Sequence, residues 1–596
     1  MKHLAYLNKF FYKYRWKLIP GVIFVIISNV FGILPAQVVR LAFNLVTENI
    51  GIFQLFDGFG RQSIISGIFG SSLFLFGVLV LVLSLLRGLF LFFMRQTIIL
   101  MSRHIEYDMK NEIYNHYQEL SLAFFRRHNT GDLMNRVTED VSRVRMYLGP
   151  GIMYAINTVT LFLLAIGVMV SVNPKLAFFS LLPMPILAFT IFYVNNIINS
   201  RSEKIQQRLS ALSSFVQENF SGIRIIKSYV RENFVRGSFA TESENYKTHS
   251  MELVRVQALF YPMMLLLIGL SSIITIYIGG VEVMKGNITP GNIAEFIVYL
   301  AQLTFPVISL GWVTSLTQRA AASQKRINEF LKEQPEIISP TTENITVKGK
   351  IEFRNVTFIY PETRIQALDN VSFIAEPGQL IAIIGRTGSG KSTIANLLMR
   401  MYDTNVGQVL IDDKPVETLN LNSFRSQVGF VPQEVFLFSD TIANNIAFSA
   451  DTLDMDDVEL AAKNAAVYQN IVEFEEGFKT MIGERGVTLS GGQKQRVSIA
   501  RAIFKQPQIL VFDDCLSAVD TKTEEEILNN LGGIMHNKTS IIIAHRISTI
   551  KNADKILVLD AGRILEQGTH QQLMDAKGAY FELYEKQLLE EQETTA

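Results

Sequence analysis

Cysteine is nearly missing from this chain: Cys515 is the single one in 596 residues. A lone thiol excludes an intramolecular disulfide framework and fits a segment that faces a reducing cytosol. Charge is sparse too, at 18% of residues, with 55 basic and 55 acidic side chains that cancel. No basic patch interleaved with aromatics is present, so nucleic acid is not an expected partner. Two stretches, Gly151 to Val172 and Ala258 to Gly280, carry no charge at all, whereas the chain beyond Lys350 has ordinary globular polarity. Each uncharged stretch is long enough to cross a bilayer as a helix. The N-terminal "MKHLAYLNKFFYKYRWK" lacks a small-residue cleavage site, and the apolar run behind it is too long for a signal-peptide core. It reads as an uncleaved interfacial helix leading into the first span.

What is present is apolar residues, 48% of the chain. That exceeds the usual share in a soluble protein, and the length is too great for one hydrophobic core. The pattern predicts six spans, near residues 18–45, 65–94, 151–172, 175–199, 258–280 and 291–317. Cations fall before the first span (Lys2, Lys9, Lys13, Arg15, Lys17) and in the links around 96–150 and 200–257, while the link from Thr47 to Ser63 has only Arg61. The positive-inside rule then places both termini and both long links on the cytoplasmic side of a plasma membrane. Helical periodicity in the long links extends the membrane helices well into the cytosol. At their far ends stand "NTGDLMNRVTEDV" (Asn129 to Val141) and "VQENFSGIRIIKSYV" (Val216 to Val230), which by themselves read as plain helical hairpin turns.

The expected division is a transmembrane domain over 1–330, a proline-punctuated linker over 331–349 and a nucleotide-binding domain over 350–596. In the last of these, "QLIAIIGRTGSGKSTIANLL" is an apolar strand, a glycine-rich turn and a helix start. Gly385, Arg386, Thr387, Gly388, Ser389 and Gly390 form the turn, and Lys391, Ser392 and Thr393 open the helix. This is a phosphate-binding loop: glycines let backbone N–H groups converge on ATP phosphates, Lys391 reaches the terminal ones, and the Ser392 hydroxyl joins Mg²⁺. A second buried strand, "ILVFDD", ends at Asp513, placed to complete the Mg²⁺ shell, with Asp514 facing the attacking water. Cys515 beside them reads as a small apolar filler. "LSGGQ", Leu489 to Gln493, leaves a bare helix N-terminus able to hold an anion, so Ser490, Gly491, Gly492 and Gln493 suggest that two nucleotide domains share each ATP.

Gly385 to Ser392, Gln433 in "FVPQEVFLF", "LSGGQ", Asp513, Asp520 in "LSAVD" and His545 in "IIIAHRIS" stand in the order of an ABC transporter ATPase domain. Over essentially its full length the chain resembles a half-transporter of the bacterial multidrug and lipid exporter type. The resemblance implies six transmembrane helices of the type IV (type I) exporter fold followed by an α/β P-loop ATPase. It further implies that Tyr360 stacks on adenine, that Gln433 touches Mg²⁺ and senses the membrane domain, that Asp520 contacts the opposite domain, and that His545 holds the γ-phosphate. "GERG", Gly483 to Gly486, resembles a loop that meets the partner's coupling helix, and the two link-end segments match coupling helices.

In the family that the chain resembles, the usual residue at position 514 is glutamate, the general base or water-orienting carboxylate. Aspartate withdraws the charge by roughly one C–C bond, about 1.5 Å, so the site should bind ATP and hydrolyse it slowly. The favoured reading is the slow-site subunit of a heterodimer that exports or flips a hydrophobic or amphipathic small molecule or lipid. The alternatives are a homodimer with two slow sites and an ATP-gated channel or regulator. No solute-binding domain argues for import, and no peptidase domain argues for a processed peptide. Arg40, Arg87 and Arg95 read as snorkelling or helix-pairing residues. Glu295 is either a structural partner or a cavity contact, and the phenylalanines of the spans read as lipid-facing or core.

Overall fold

The computed structural model describes residues 2–55, 62–450, 452–483, 489–516 and 521–595. Two compact units emerge, one of Met1–Tyr117 with Gly131–Glu333, the other of Gln118–Thr130 with Gln334–Ala596.

Among its described residues the first unit has six helical runs long and apolar enough to cross a membrane: Arg15–Ile50, Gly67–Glu119, Thr130–Val172, Pro174–Ser221, Glu232–Met284 and Pro290–Phe330. Their ends follow local chemistry. Asn173 leaves the helical region and its side chain accepts the Leu176 N–H at 2.9 Å, with Pro174 at the first helical position. Thr289 and Asn292 form a reciprocal capping box in front of the last run, again with proline, Pro290, at its start. The helix Gln62–Glu119 has 58 residues, on the order of 87 Å of rise, so it continues far past any bilayer. Leu161, Met169, Leu187, Phe296 and Leu303 pack the interior, while Phe74, Leu163 and Phe189 are left exposed on the outer face.

Glu295 is fully buried. Its Oε2 lies 3.2 Å from Arg40 Nη1 and accepts from Asn292 Nδ2 at 3.2 Å, while Oε1 accepts the Tyr299 hydroxyl at 2.8 Å. Every oxygen is engaged, so Glu295 is a structural partner that ties the helix Pro290–Phe330 to Arg15–Leu55. Arg87 packs its guanidinium against Gly32, where a Cβ would come within 3.1 Å of Nε, and Arg95 is exposed. Glu295→Ala would leave Arg40 without its counter-ion. Because the Arg40 side chain is 28% exposed, the expected loss is near the lower end for a broken buried pair, about 3 kcal/mol. It would be read as a lower melting temperature of the protein in lipid, largely recovered by the apolar pair Arg40→Met with Glu295→Leu.

The segment of the first long link that joins the second unit lies upstream of the expected Asn129 to Val141. It is the short helix Leu122–Arg127, isolated by extended residues Ser121 and His128, with Ala123 buried in the second unit's core. From Thr130 onward the backbone stays helical through one wider π turn at Arg136–Asp140 and on to Met146, so no separate element forms there. In the other link, Ile223–Ser228 is a separate short helix set off by Gly222 and Tyr229.

Among its described residues the second unit holds twelve strands: β1 Ile351–Ile359, β2 Gln366–Ala375, β3 Leu380–Gly385, β4 Val406–Ile411, β5 Lys414–Pro415, β6 Val428–Val431, β7 Asp440–Thr441, β8 Met481–Ile482, β9 Ile509–Asp513, β10 Thr539–Ile543, β11 Lys555–Asp560 and β12 Arg563–Gly568. One sheet is antiparallel, in the order β2-β1-β4-β5, a second runs β12-β11-β3-β10-β9-β6, parallel except for β12, and β7 and β8 form a small antiparallel pair. The central strands β3, β9 and β10 are buried on both faces, which is why they read as unbroken apolar runs. Register aligns Ile383 with Ile543 and Ile543 with Asp513, so Gly385, Asp513 and the residues after Ile543 emerge at one carboxyl edge. In open parallel sheets that edge is where ligands bind.

Candidate nucleotide site

At this edge an open pocket of about 280 Å³ is bounded by Tyr360, the 365–367 stretch, the turn from Thr387, Gln433, Asp513, Asp514 and His545. The turn can only be built with glycine at key places. Gly390 has φ +98°, and a Cβ there would sit 2.3 Å from the Ala367 carbonyl oxygen. Gly385 has no room either, since a Cβ would meet the Leu559 carbonyl oxygen at 2.1 Å.

The Lys391 ammonium is buried and donates to the carbonyl oxygens of Gly385 and Arg386 at 2.9 Å each. Burial pulls its pKa down, with Asp514 and Asp513 opposing the fall. Ser392 Oγ donates to Asp513 Oδ1 at 2.9 Å. Burial pushes the Asp513 carboxyl above the usual range, with neighbouring Asp514 adding to the rise and the Ser392 bond opposing it. Asp514 sits in the left-handed region at φ +47°, fixed by its N–H donating to the Ile543 carbonyl at 2.9 Å. That conformation suits aspartate better than most side chains. Its Oδ2 lies 3.4 Å from Gln433 Nε2 and 3.9 Å from His545 Nε2.

Thr387, Gly388, Gly390, Lys391, Ser392 and Thr393 line the pocket, whereas Gly385 and Arg386 border a second depression with Asp560, Glu582 and Lys586. The Ser389 hydroxyl is buried without a hydrogen-bond partner among the described residues. Tyr360 forms a wall and is held by a 3.0 Å hydrogen bond between its hydroxyl and Thr393 Oγ1. Two neighbours of Tyr360 escaped sequence reasoning. Tyr402 meets it edge-on at 5.4 Å, and the Arg126 guanidinium lies 5.7 Å and 5.8 Å from the two rings. Isolated residues so far apart in sequence carry no local signal of a shared site.

The start of the helix Gly491–Phe504 is not bare. Gln493 Oε1 accepts the Ser490 N–H at 2.9 Å and Ser490 Oγ accepts the Gln493 N–H at 3.3 Å, a capping box the sequence reading passed over. None of residues 490–493 lines the pocket. Asp520 and, in "GERG", residues 484–486 lie outside the described residues. Cys515 is buried in the core, and burial pushes its thiol up.

A phosphate-binding loop facing a second-strand carboxylate, carried on one chain with six membrane-crossing helical runs, defines an ATPase joined to a multi-pass membrane domain. Comparisons with known proteins identify which. Residues 19–307 match the ABC transporter transmembrane region and residues 368–517 match the ABC transporter family. The chain is 36% identical to the "Multidrug resistance-like ATP-binding protein MdlA" of Escherichia coli (strain K12), over 82% of this chain and 83% of that one. It is 33% identical to the "ATP-dependent lipid A-core flippase" of Syntrophus aciditrophicus (strain SB), over 86% and 85%. The solved structure of a bacterial Atm1-family ABC exporter with ATP bound matches with a TM-score of 0.77 and 27% identity, covering 96% of this chain and 98% of that one. The chain belongs to the ABC transporter family and has the ABC exporter fold, with a nucleotide-binding ATPase domain that couples ATP hydrolysis to transport.

Proposed function

We propose that this chain is one half of a dimeric exporter in the bacterial inner membrane, with both termini cytoplasmic, and that it holds the slow ATP site of a heterodimer. The observation that carries the dimer is the split of the nucleotide machinery, since the pocket collects Tyr360, the turn, Asp513, Asp514 and His545 but leaves residues 490–493 elsewhere, and the slow site rests on the shorter carboxylate of Asp514. A signature that serves no pocket of its own is accounted for if it, together with Asp520, closes the site of a second half-transporter. Closure of two such domains around ATP would drive the membrane helices from an inward-open to an outward-open cavity, and hydrolysis would reset them. The short helix Ile223–Ser228, with Ile223 and Ile225 exposed beside Tyr229 and Val230, suits a coupling element that needs a partner surface.

Within the site, Lys391 would balance phosphate charge, Tyr360 would stack on adenine, His545 would hold the γ-phosphate, and Asp514 would orient the attacking water. The donors that surround the phosphate end, a hydroxyl on Ser392, a carboxylate on Asp513 and an amide oxygen on Gln433, are the hard oxygen ligands Mg²⁺ selects. Bound there, Mg²⁺ would neutralise charge on the phosphate oxygens. The names of the relatives, a multidrug-type protein and a lipid A-core flippase, favour a hydrophobic or amphipathic small molecule or a lipid as cargo.

A second reading, a homodimer with two slow sites, is favoured by the placement of Gln433 and His545 around Asp514, which leaves the site complete but for reach. Phosphate release by this chain purified alone in lipid separates the two. Trace turnover that rises on adding a neighbouring half-transporter supports the heterodimer, and steady turnover lost in Asp514→Asn supports the homodimer. Substrate movement in vesicles that is insensitive to vanadate and to nucleotide would sink the exporter reading and favour a channel.

A further inference from the structure

We propose that Gln587, on the C-terminal helix Ala579–Thr595, is a positioning residue for His545. The proposal rests on the reading of His545 as a phosphate contact and adds to it what fixes that histidine. His545 stands on the irregular stretch between β10 and the four-residue helix Ile547–Ile550, so its backbone groups have no ladder partners to rely on. One side chain engages the His545 carbonyl and the N–H of Ile547 two residues on. Gln587 Nε2 donates to the His545 carbonyl at 2.6 Å, and Gln587 Oε1 accepts the Ile547 N–H at 2.9 Å. The helix N-cap, Arg546, makes no side-chain cap of its own. The Gln587 amide thus does that task from 40 residues away.

The clamp stands on a firm base. Glu566 accepts the N–H groups of Ala579 at 2.6 Å and Tyr580 at 3.1 Å, capping the C-terminal helix at its start, and Tyr580 is fully buried. On the opposite flank Glu524, itself buried, pairs with Arg546 at 3.0 Å and accepts the Thr549 hydroxyl. The stretch from His545 to Thr549 is therefore held from two elements, with Gln587 on His545 itself, and His545 Nε2 lies 3.9 Å from Asp514 Oδ2. The Gln587 amide meets the carbonyl with its N–H and the N–H two residues on with its oxygen, one atom for each. With Asp514 already short of reach, the imidazole has little latitude to move.

The test uses the full-length protein in lipid, in the assembly that turns ATP over, with Gln587→Met, which keeps the side-chain volume and loses both hydrogen bonds. The expected result is a fall in kcat of about tenfold with the KM for ATP unchanged, since a shift of a fraction of an ångström at a reacting group costs that much. In a double-mutant cycle, Gln587→Met on a His545→Ala background should cause no further loss, because the two act as one unit. Gln587→Glu, which keeps only the bond from Ile547, should fall between wild type and Gln587→Met; if the methionine variant melts early, this variant carries the same cycle. A tenfold loss that persists without His545, or normal kcat in Gln587→Met while His545→Ala is slow, overturns the proposal. Normal turnover in His545→Ala overturns the reading beneath it and the proposal with it.

Discussion

Asp514→Glu is expected to raise ATP turnover by about ten- to a hundredfold while lowering stability by up to about 1 kcal/mol. The gain follows from reach. The added methylene advances the carboxylate by roughly 1.5 Å, and misplacement on the order of 1 Å at the reacting centre is worth about a hundredfold. The surrounding groups need no change, since Gln433 and His545 already flank the carboxylate at 3.4 Å and 3.9 Å. The loss follows from the backbone: at φ +47° the position favours aspartate, and a longer side chain in the left-handed region is less comfortable by about 1 kcal/mol. Rate and melting temperature should therefore move in opposite directions, which no general tightening of the fold would produce. Asp514→Asn keeps the shape and removes the charge, so ATP binding should persist while phosphate release falls by at least about a hundredfold. Unchanged release in both variants would mean that another step limits turnover and that Asp514 is not the water-orienting group.

What could be read in the sequence was whatever depends on short-range pattern. The turn from Gly385 to Thr393 declares itself because glycine positions, a buried lysine and a preceding apolar strand are contiguous. The spans declare themselves because lipid forbids charge over whole turns of helix. Residues that meet only through the fold do not. Arg126 reaches Tyr360 because residues 118–130 fold with the second unit, and the helix breaks at Ser121 and His128 that make this possible have no distinctive composition. Glu295 could be a cavity contact or a structural partner until Arg40 was seen 3.2 Å away. Gln587, in a glutamate- and glutamine-rich tail, is the extreme case: nothing near it in sequence distinguishes the one amide that holds the His545 stretch. Ser490 and Gln493 were a missed chance, because serine followed three residues on by glutamine is itself a capping signature.

The other large effect is expected at Lys391. Lys391→Ala should lower kcat/KM for ATP by about three orders of magnitude, through loss of binding as well as of rate. A single opposite-charge contact at about 4 Å in a partly shielded site is worth roughly 4 kcal/mol, and each 1.4 kcal/mol or so is a factor of about ten. The variant should fold normally. Burial disfavours the ammonium in the absence of an anion, which offsets the two carbonyl hydrogen bonds that its removal takes away. Lys391→Arg should fare little better, because the planar guanidinium cannot occupy the narrow place where the ammonium donates to the Gly385 and Arg386 carbonyls at 2.9 Å each. Direct nucleotide binding distinguishes the two acidic and basic roles: Asp514→Asn should retain ATP and fail to cleave it, whereas Lys391→Ala should fail to retain it. Tight binding by Lys391→Ala would show that the backbone N–H groups of the turn hold the phosphates without the lysine, and would move its contribution entirely to the transition state.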